Sequence, residues 1–333
     1  MAADARSGPG ERERVVVAVD FSEGSVAAAT WVAQHFARGA ELVLVHVLHV
    51  PPVPRFLEGR YPSSDRVVEN ARAGAMVRLR ELTASIATGL IWPEVRVGVP
   101  DEEIVRVAAE YSAAVIVVGR PATRGGVWAR TGTTAQRVLR RSSVPVLLAA
   151  DVPSHAPARL LVAVDDSDMT DVVLGWGASL AKRFSAETTV VHVVSVPVFP
   201  EDIVTAAGLL SAAPDAVAPL LDDGTAVREA ERWLGERVRR IAPEQPPTLA
   251  VVPRPLSPVQ AIIDEATRRG AELIVLGSRG AGAVPRFIFG SVAEGVLRGA
   301  SCPVLVVPPE DRRAEADPTN AAGSASHVDR GGA

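Results

Sequence analysis

Short runs of Val, Ile and Leu punctuate the chain, and between them lie longer segments in which apolar residues recur at helical spacing. Runs such as VVVAV, LVLVHV and VIVVG are apolar at successive positions, so both faces of each strand need cover. Strands of that kind belong in a parallel sheet with helices on both sides. Bounded by turn residues and alternating with helical segments, they predict doubly wound α/β domains. Val172 to Phe184 and Ala226 to Ile241 are predicted helices, the second with Trp233, Leu234, Val238 and Ile241 on one face.

The pattern occurs twice. RVVVAVDFS (Arg14 to Ser22) matches RLLVAVDDS (Arg159 to Ser167), and Asp20 and Asp165 are 145 residues apart, as are Trp31 and Trp176. ELVLVHVLHVP matches ETTVVHVVSVP at an offset of 146, with His46 against His192. VIVVG (Val115 to Gly119) matches LIVLG (Leu273 to Gly277) at 158, an offset kept by Pro145 and Pro303. The second copy therefore gains 12 residues (158 minus 146) after its second strand, in an interval that contains the Ala-rich stretch Ile203 to Leu221. Two domains are expected, residues 14–151 and 158–308, joined by a linker at 152–157 where Pro and polar residues separate the copies. Residues 1–13 and 309–333 lack periodicity and read as disordered tails.

Composition narrows the classes. A chain of 333 residues is long enough for two ordinary cores. Its net charge of -4 gives no basic footprint for a phosphate backbone, so nucleic acid is not an expected partner. Cys302 is the only cysteine, which rules out an intrachain disulfide and a thiolate-rich metal site and fits a reducing cytoplasm. The first residues, MAADARSGPGERER, are charged where a secretory leader needs an apolar stretch. Pro214, Asp215 and Pro219 interrupt Ile203 to Leu221, so no membrane span is expected there.

Candidate chemistry concentrates in the second copy. LIVLG runs into GSRGAGAVPRFIFGS, which places Gly277, Gly280, Gly290 and Ser291 at the spacing G-x2-G-x9-G-S. Glycine lets an anion approach backbone amides without a Cβ in the way. The next segment, SVAEGVLRGA, reads as a helix opening at Gly290, Ser291 and Val292, with unpaired N–H groups and the positive dipole end available to phosphate. Asp165 closes the first strand of the copy, and in a doubly wound sheet ligands enter at strand ends where the winding reverses. A carboxylate there accepts hydrogen bonds from ribose hydroxyls or helps hold a hydrated Mg²⁺. With Asp166 and Ser167 beside it, Asp165 also reads as a turn or helix-capping residue, the weaker of the two readings given its match with Asp20 and its place at a strand end.

The strand-end Asp of VAVD, the HV pair of the second strand, the glycine pattern and the closing SCPVLVV strand resemble the universal stress protein family. The resemblance spans both copies, about residues 14 to 151 and 158 to 308. It implies two tandem five-stranded parallel-sheet domains, Rossmann-like and adenine-nucleotide α-hydrolase-like, arranged about a pseudo-two-fold axis. In such an arrangement SVPVLLAA and SCPVLVVP pair within one chain, leaving a further homodimer open. It also implies ATP, alone or with Mg²⁺, with the backbone of Val193 beside the base and Asp165 near the ribose. The function implied is that of a regulatory nucleotide-binding protein in stress response, acting on a protein partner that the sequence does not identify. It is a binding module before it is an enzyme, at most a slow ATPase, because no group beyond the loop is legible for stabilising charge on a γ-phosphate. A nucleotide-independent interaction scaffold is the alternative.

The first copy departs from the pattern. Its loop, GRPATRGGVWARTGT, has Gly119, then Ala122 in place of the second glycine, then Gly132 and Thr133, and Pro121 removes an amide donor. A weaker site at Asp20, Val47, Gly119, Gly132 and Thr133, or none, is expected there. No catalytic residue and no metal site emerges from spacing elsewhere. His46 and His192 stand in apolar strands without a metal-ligand partner and read as structural. His49, three residues from His46, points to the other face of a strand. Gly280, Gly282 and Pro285 only approach a dinucleotide fingerprint, and no P-loop motif occurs. Cys302 reads as a small buried residue, and Arg137, Arg140 and Arg141 as a solvated helix face. Ala206 to Leu210 and the surrounding insertion pack on the sheet or form a lid, with packing the better fit to their leucines.

Overall fold

The computed structural model describes residues 13–50, 64–86, 89–119, 133–194, 223–253, 257–280 and 289–309. Gly132, Pro121, Ala122 and the insertion around Ile203 to Leu221 lie outside them. The chain divides into two compact units, built on Arg6–Val152 and Pro153–Leu305, with a second changeover between Leu305 and Val306.

In the first unit β1 (Arg14–Ala18) pairs in parallel with β2 (Glu41–Leu48) and β4 (Val115–Gly119). β3 (Leu90–Val97) adds to β2, and β5 (Val146–Ala149) adds to β4, giving the order β3-β2-β1-β4-β5. Helices α1 (Glu23–Trp31), α2 (Ser64–Ile86), α3 (Pro100–Glu110) and α4 (Thr133–Arg141) connect them. The central strands are apolar throughout because both faces are covered: Val15–Val17, Leu42–Val45 and Val115–Val117 are almost fully buried. Pro93 sits in β3, where an edge position tolerates the missing N–H. Ser22 caps α1 by accepting from Ser25 N–H at 3.2 Å, and Pro100 with three acidic residues opens α3. After α1 the chain widens into a π-helical stretch, Val32–Phe36, a feature without a signal in the spacing of apolar residues.

The second unit repeats the plan. Its strands are β6 (Arg159–Val164), β7 (Glu187–Val194), β8 (Thr248–Pro253), β9 (Leu273–Gly277) and β10 (Val304–Val307), in the order β8-β7-β6-β9-β10. Its helices are α5 (Thr170–Phe184), α6 (Asp223–Ile241), α7 (Pro258–Arg269) and α8 (Ser291–Gly299). Both helices predicted from spacing are present; α5 begins two residues before Val172, and α6 three before Ala226. On α6, Leu234 and Val238 are buried, while Trp233 and Ile241 are half-buried. Packing of α5 with α6 and of α7 with α8 puts one helix pair on each face of the sheet. Winding reverses between β6 and β9, so the crevice at their carboxyl ends is the place where a ligand of this fold class would enter. No helix among the described residues is long and apolar enough to cross a membrane.

Candidate functional site

β6 ends at Val164, and the chain turns through Asp165 to Thr170 into α5. This turn is held by its own side chains. Ser167 Oγ donates to Asp165 Oδ1 at 2.6 Å and accepts from Met169 N–H at 3.2 Å. The Thr170 hydroxyl donates to the Asp165 carbonyl and accepts from Ser167 N–H at 3.4 Å. A serine two residues after an aspartate is the local signal for such a turn. Fixing Oδ1 also fixes where the other carboxylate oxygen lies.

That oxygen lies against the loop after β9. A Cβ placed on Gly280 would stand 2.5 Å from Asp165 Oδ2, so the absence of a side chain at 280 is what lets the two strand exits meet. Gly290 N–H donates to Ser278 C=O at 2.8 Å and closes the base of the loop. A Cβ on Gly290 would come within 3.1 Å of that same carbonyl. Gly290 is the extended N-cap of α8 and has no side chain with which to cap it. The first intrahelical bond in this turn runs from Glu294 N–H to Gly290 C=O, so the amides of Ser291, Val292 and Ala293 precede any helical acceptor. Ser291 is exposed and Val292 half-buried. An uncapped N-terminus, a carboxylate and a glycine turn thus converge at the switch point.

Gly277 has a different reason to be small. Its Cβ would crowd Arg279 C=O at 3.2 Å and the side chains of Met169 and Val173 at 3.4 Å, where β9 passes the start of α5. Val193 stands one residue past the last β6–β7 register pair, Val164 with His192, and pairs onward with Val252 of β8. Its main chain is therefore at the β6 exit, on the same end of the sheet as Asp165. His192 Nδ1 donates to Val164 C=O at 3.0 Å, and His46 Nδ1 to Val19 C=O at 2.7 Å. Both histidines tie the second strand of their unit to the exit of the first, a structural task. Ser278 was not singled out by the motif spacing; its hydroxyl is buried and lacks a hydrogen-bond partner among the described residues.

In the first unit the corresponding turn is also stitched. Asp20 Oδ1 accepts from Ser22 N–H at 2.9 Å and Ser22 Oγ at 2.5 Å, and Ser25 Oγ accepts from Asp20 N–H at 3.3 Å. Burial opposes ionisation of Asp20, but the hydrogen bonds from Ser22 and Ser25 outweigh it and hold the carboxyl below its ordinary value. A depressed carboxyl contributes stability that is present above the unfolded-state value and disappears as pH falls through the folded one. Asp20→Asn should therefore remove part of the acid-unfolding response below about pH 4 and leave the slope at neutral pH unchanged. Parallel acid titrations by circular dichroism check this; a difference confined to neutral pH would contradict it.

Gly119 has a packing reason to be small. Its Cβ would meet Ser25 Cα at 2.7 Å, so it is small because β4 runs against the backbone of α1. Val47 pairs with Arg96 across β2 and β3, two residues beyond Val45, the last residue of β2 paired with β1. Thr133 opens α4, and Gly132 lies outside the described residues. Among the described residues no group of three His, Cys, Asp or Glu side chains is arranged to hold a metal ion.

A family model described as Universal stress protein family matches residues 11–150 and 158–308. The chain belongs to the universal stress protein family. Among curated relatives, the universal stress protein Rv2005c of Mycobacterium tuberculosis is 28% identical over 319 residues, covering 90% of this chain and 98% of that protein. A universal stress protein crystal structure from Archaeoglobus fulgidus covers 89% of this chain and 98% of its own at 21% identity and a TM-score of 0.55, a likeness of fold. A further Archaeoglobus fulgidus universal stress protein, solved in complex with dAMP, aligns over 45% of this chain at 25% identity and a TM-score of 0.30. Two family domains in one universal stress protein chain account for the doubled pattern of strands.

Proposed function

We propose that the second unit binds ATP or a related adenine nucleotide, with or without Mg²⁺, and that occupancy regulates the contacts of this universal stress protein with a protein partner. The observation that carries the reading is the meeting of Asp165 with Gly280 beside the uncapped amino end of α8. In this reading the amides from Gly277 to Gly280 and those of Gly290, Ser291 and Val292 receive the phosphates, with the Ser291 hydroxyl alongside. Asp165 accepts from the ribose or from water on Mg²⁺, and the main chain of Val193 lies beside the base. The fit is favoured by the two glycines, since a Cβ at either would intrude on the Asp165 carboxylate or on the Ser278 carbonyl.

The first unit binds nucleotide weakly or not at all in this reading, because Pro121 and Ala122 withdraw an amide and add a methyl group in its loop. Turnover is slow or absent, as the residues proposed for the site offer binding groups and no positioned base. Mass spectrometry of ligand released from the natively purified chain tests the proposal. An adenine nucleotide retained by the wild type and missing from Gly290→Asp is the expected result. A chain that carries none and gives no response to added ATP would favour the interaction scaffold, and steady phosphate release lost in Asp165→Ala would favour the slow ATPase.

A further inference from the structure

Phe21 follows the strand-end Asp20 in the first unit and adopts a left-handed backbone, φ 63°. Its ring lies against His46 with centroids 4.6 Å apart, and the Arg78 guanidinium stands 4.0 Å from the ring centre. A bulky residue in this backbone region is uncommon, and here the turn is held by the Asp20, Ser22 and Ser25 hydrogen bonds as well as by the aromatic contact. The stack spans the exit of β1, the end of β2 and the face of α2.

The second unit keeps the histidine and exchanges the other two groups. Asp166 takes the place of Phe21 after the strand-end aspartate. Trp233 takes the place of Arg78: each precedes a fully buried leucine, Leu79 or Leu234, two turns before the helix ends at Ile86 or Ile241. The aromatic ring now comes from the helix. Trp233 lies 5.0 Å from His192, and Arg237 approaches the Trp233 ring at 4.9 Å. Where Phe21 sits in one unit, the other has a cavity of about 440 Å³, lined by Asp166, His192, Glu229, Arg232, Trp233 and Glu236.

This cavity is separate from the loop and helix start proposed for nucleotide. Neighbouring residues of a strand face opposite sides, and His192 faces the α6 side through Trp233. The amino end of α8 belongs to the helix pair on the other face. Three carboxylates against one guanidinium, with Arg232 donating to Glu229, leave the lining acidic. Val164 C=O only accepts, so Nδ1 of His192 carries a hydrogen and is committed to that bond. Carboxylates and an indole ring together offer acceptors and π density, which complement a cation rich in N–H donors.

We propose that this cavity is a second ligand site, taking a small organic cation that carries amine or guanidine groups. It is an open groove, with Asp166, Glu229, Arg232 and Glu236 exposed, so a ligand held there stays partly in contact with water. Agmatine, with an ammonium at one end and a guanidinium at the other, is the probe, titrated calorimetrically into the full chain. Wild type should bind it with an affinity that falls as ionic strength rises. Asp166→Lys, an exposed substitution that introduces a competing cation, should weaken binding at least about tenfold with the circular dichroism spectrum unchanged. Trp233→Leu should weaken it as well, and agmatine should change the fluorescence of the wild type and not of that variant. Absence of binding at millimolar agmatine, or equal affinity in wild type and Asp166→Lys, would overturn the proposal.

Discussion

Gly280→Ala is expected to lower the affinity of the chain for ATP by at least about tenfold, with little change in its stability. The new methyl carbon would stand 2.5 Å from Asp165 Oδ2, far inside contact distance, so either the carboxylate or the loop has to move. Rotation of the carboxylate is resisted because Ser167 holds its other oxygen at 2.6 Å. The loop is held in turn by the bond from Gly290 N–H to Ser278 C=O. Either displacement costs the nucleotide a charge-assisted hydrogen bond, worth about 1.5–3 kcal/mol. The route of the effect is testable by a double-mutant cycle with Asp165→Ala. If the methyl group acts through the carboxylate, the double variant binds no more weakly than Asp165→Ala alone; full additivity would mean that Gly280 and Asp165 act independently.

Gly119→Ala, at the first-unit position that matches Gly277, is expected to behave in the opposite way. Here the added carbon would meet backbone, Ser25 Cα at 2.7 Å and Ser25 N at 3.0 Å, and no flexible group can yield. Overpacking of this kind costs about 1–3 kcal/mol, so denaturant unfolding of the first unit should shift by that amount. ATP affinity should stay at the wild-type value, because nucleotide is assigned to the second unit. A loss of affinity without a loss of stability would show that Gly119 contacts ligand after all. The two substitutions separate a glycine kept small by a helix backbone from one kept small beside a carboxylate.

Much of the architecture was legible because strands covered on both faces must be apolar throughout. VVVAV, LVLVHV and VIVVG became central or near-central strands for that reason, and their repetition exposed the second unit. β3 was less legible, since LIWPEVRV contains a proline that only an edge position accommodates. The glycine spacing pointed to the candidate site, but spacing is silent on what each glycine touches. Gly277 packs on α5, Gly280 adjoins Asp165 and Gly290 closes the loop, three contacts that depend on tertiary approach. The two readings of Asp165 turned out to be compatible: one oxygen organises the turn with Ser167 while the other adjoins Gly280.

The repeat shows Asp166 in the place of Phe21, but the exchange of Arg78 for Trp233 could not be read from it alone. The offset between copies changes after the second strand, so the helix residue that faces each histidine is not aligned with it by simple counting. Only packing shows that His46 and His192 each keep an aromatic partner, delivered from different elements.

Calorimetric titration of ATP with Mg²⁺ into the intact chain, wild type beside Gly290→Asp, puts the central claim to its most direct test. A carboxylate at position 290 would meet the Ser278 carbonyl and set negative charge at the amino end of α8. The account predicts a single nucleotide per wild-type chain and its loss in the variant. Undiminished binding in Gly290→Asp would contradict it.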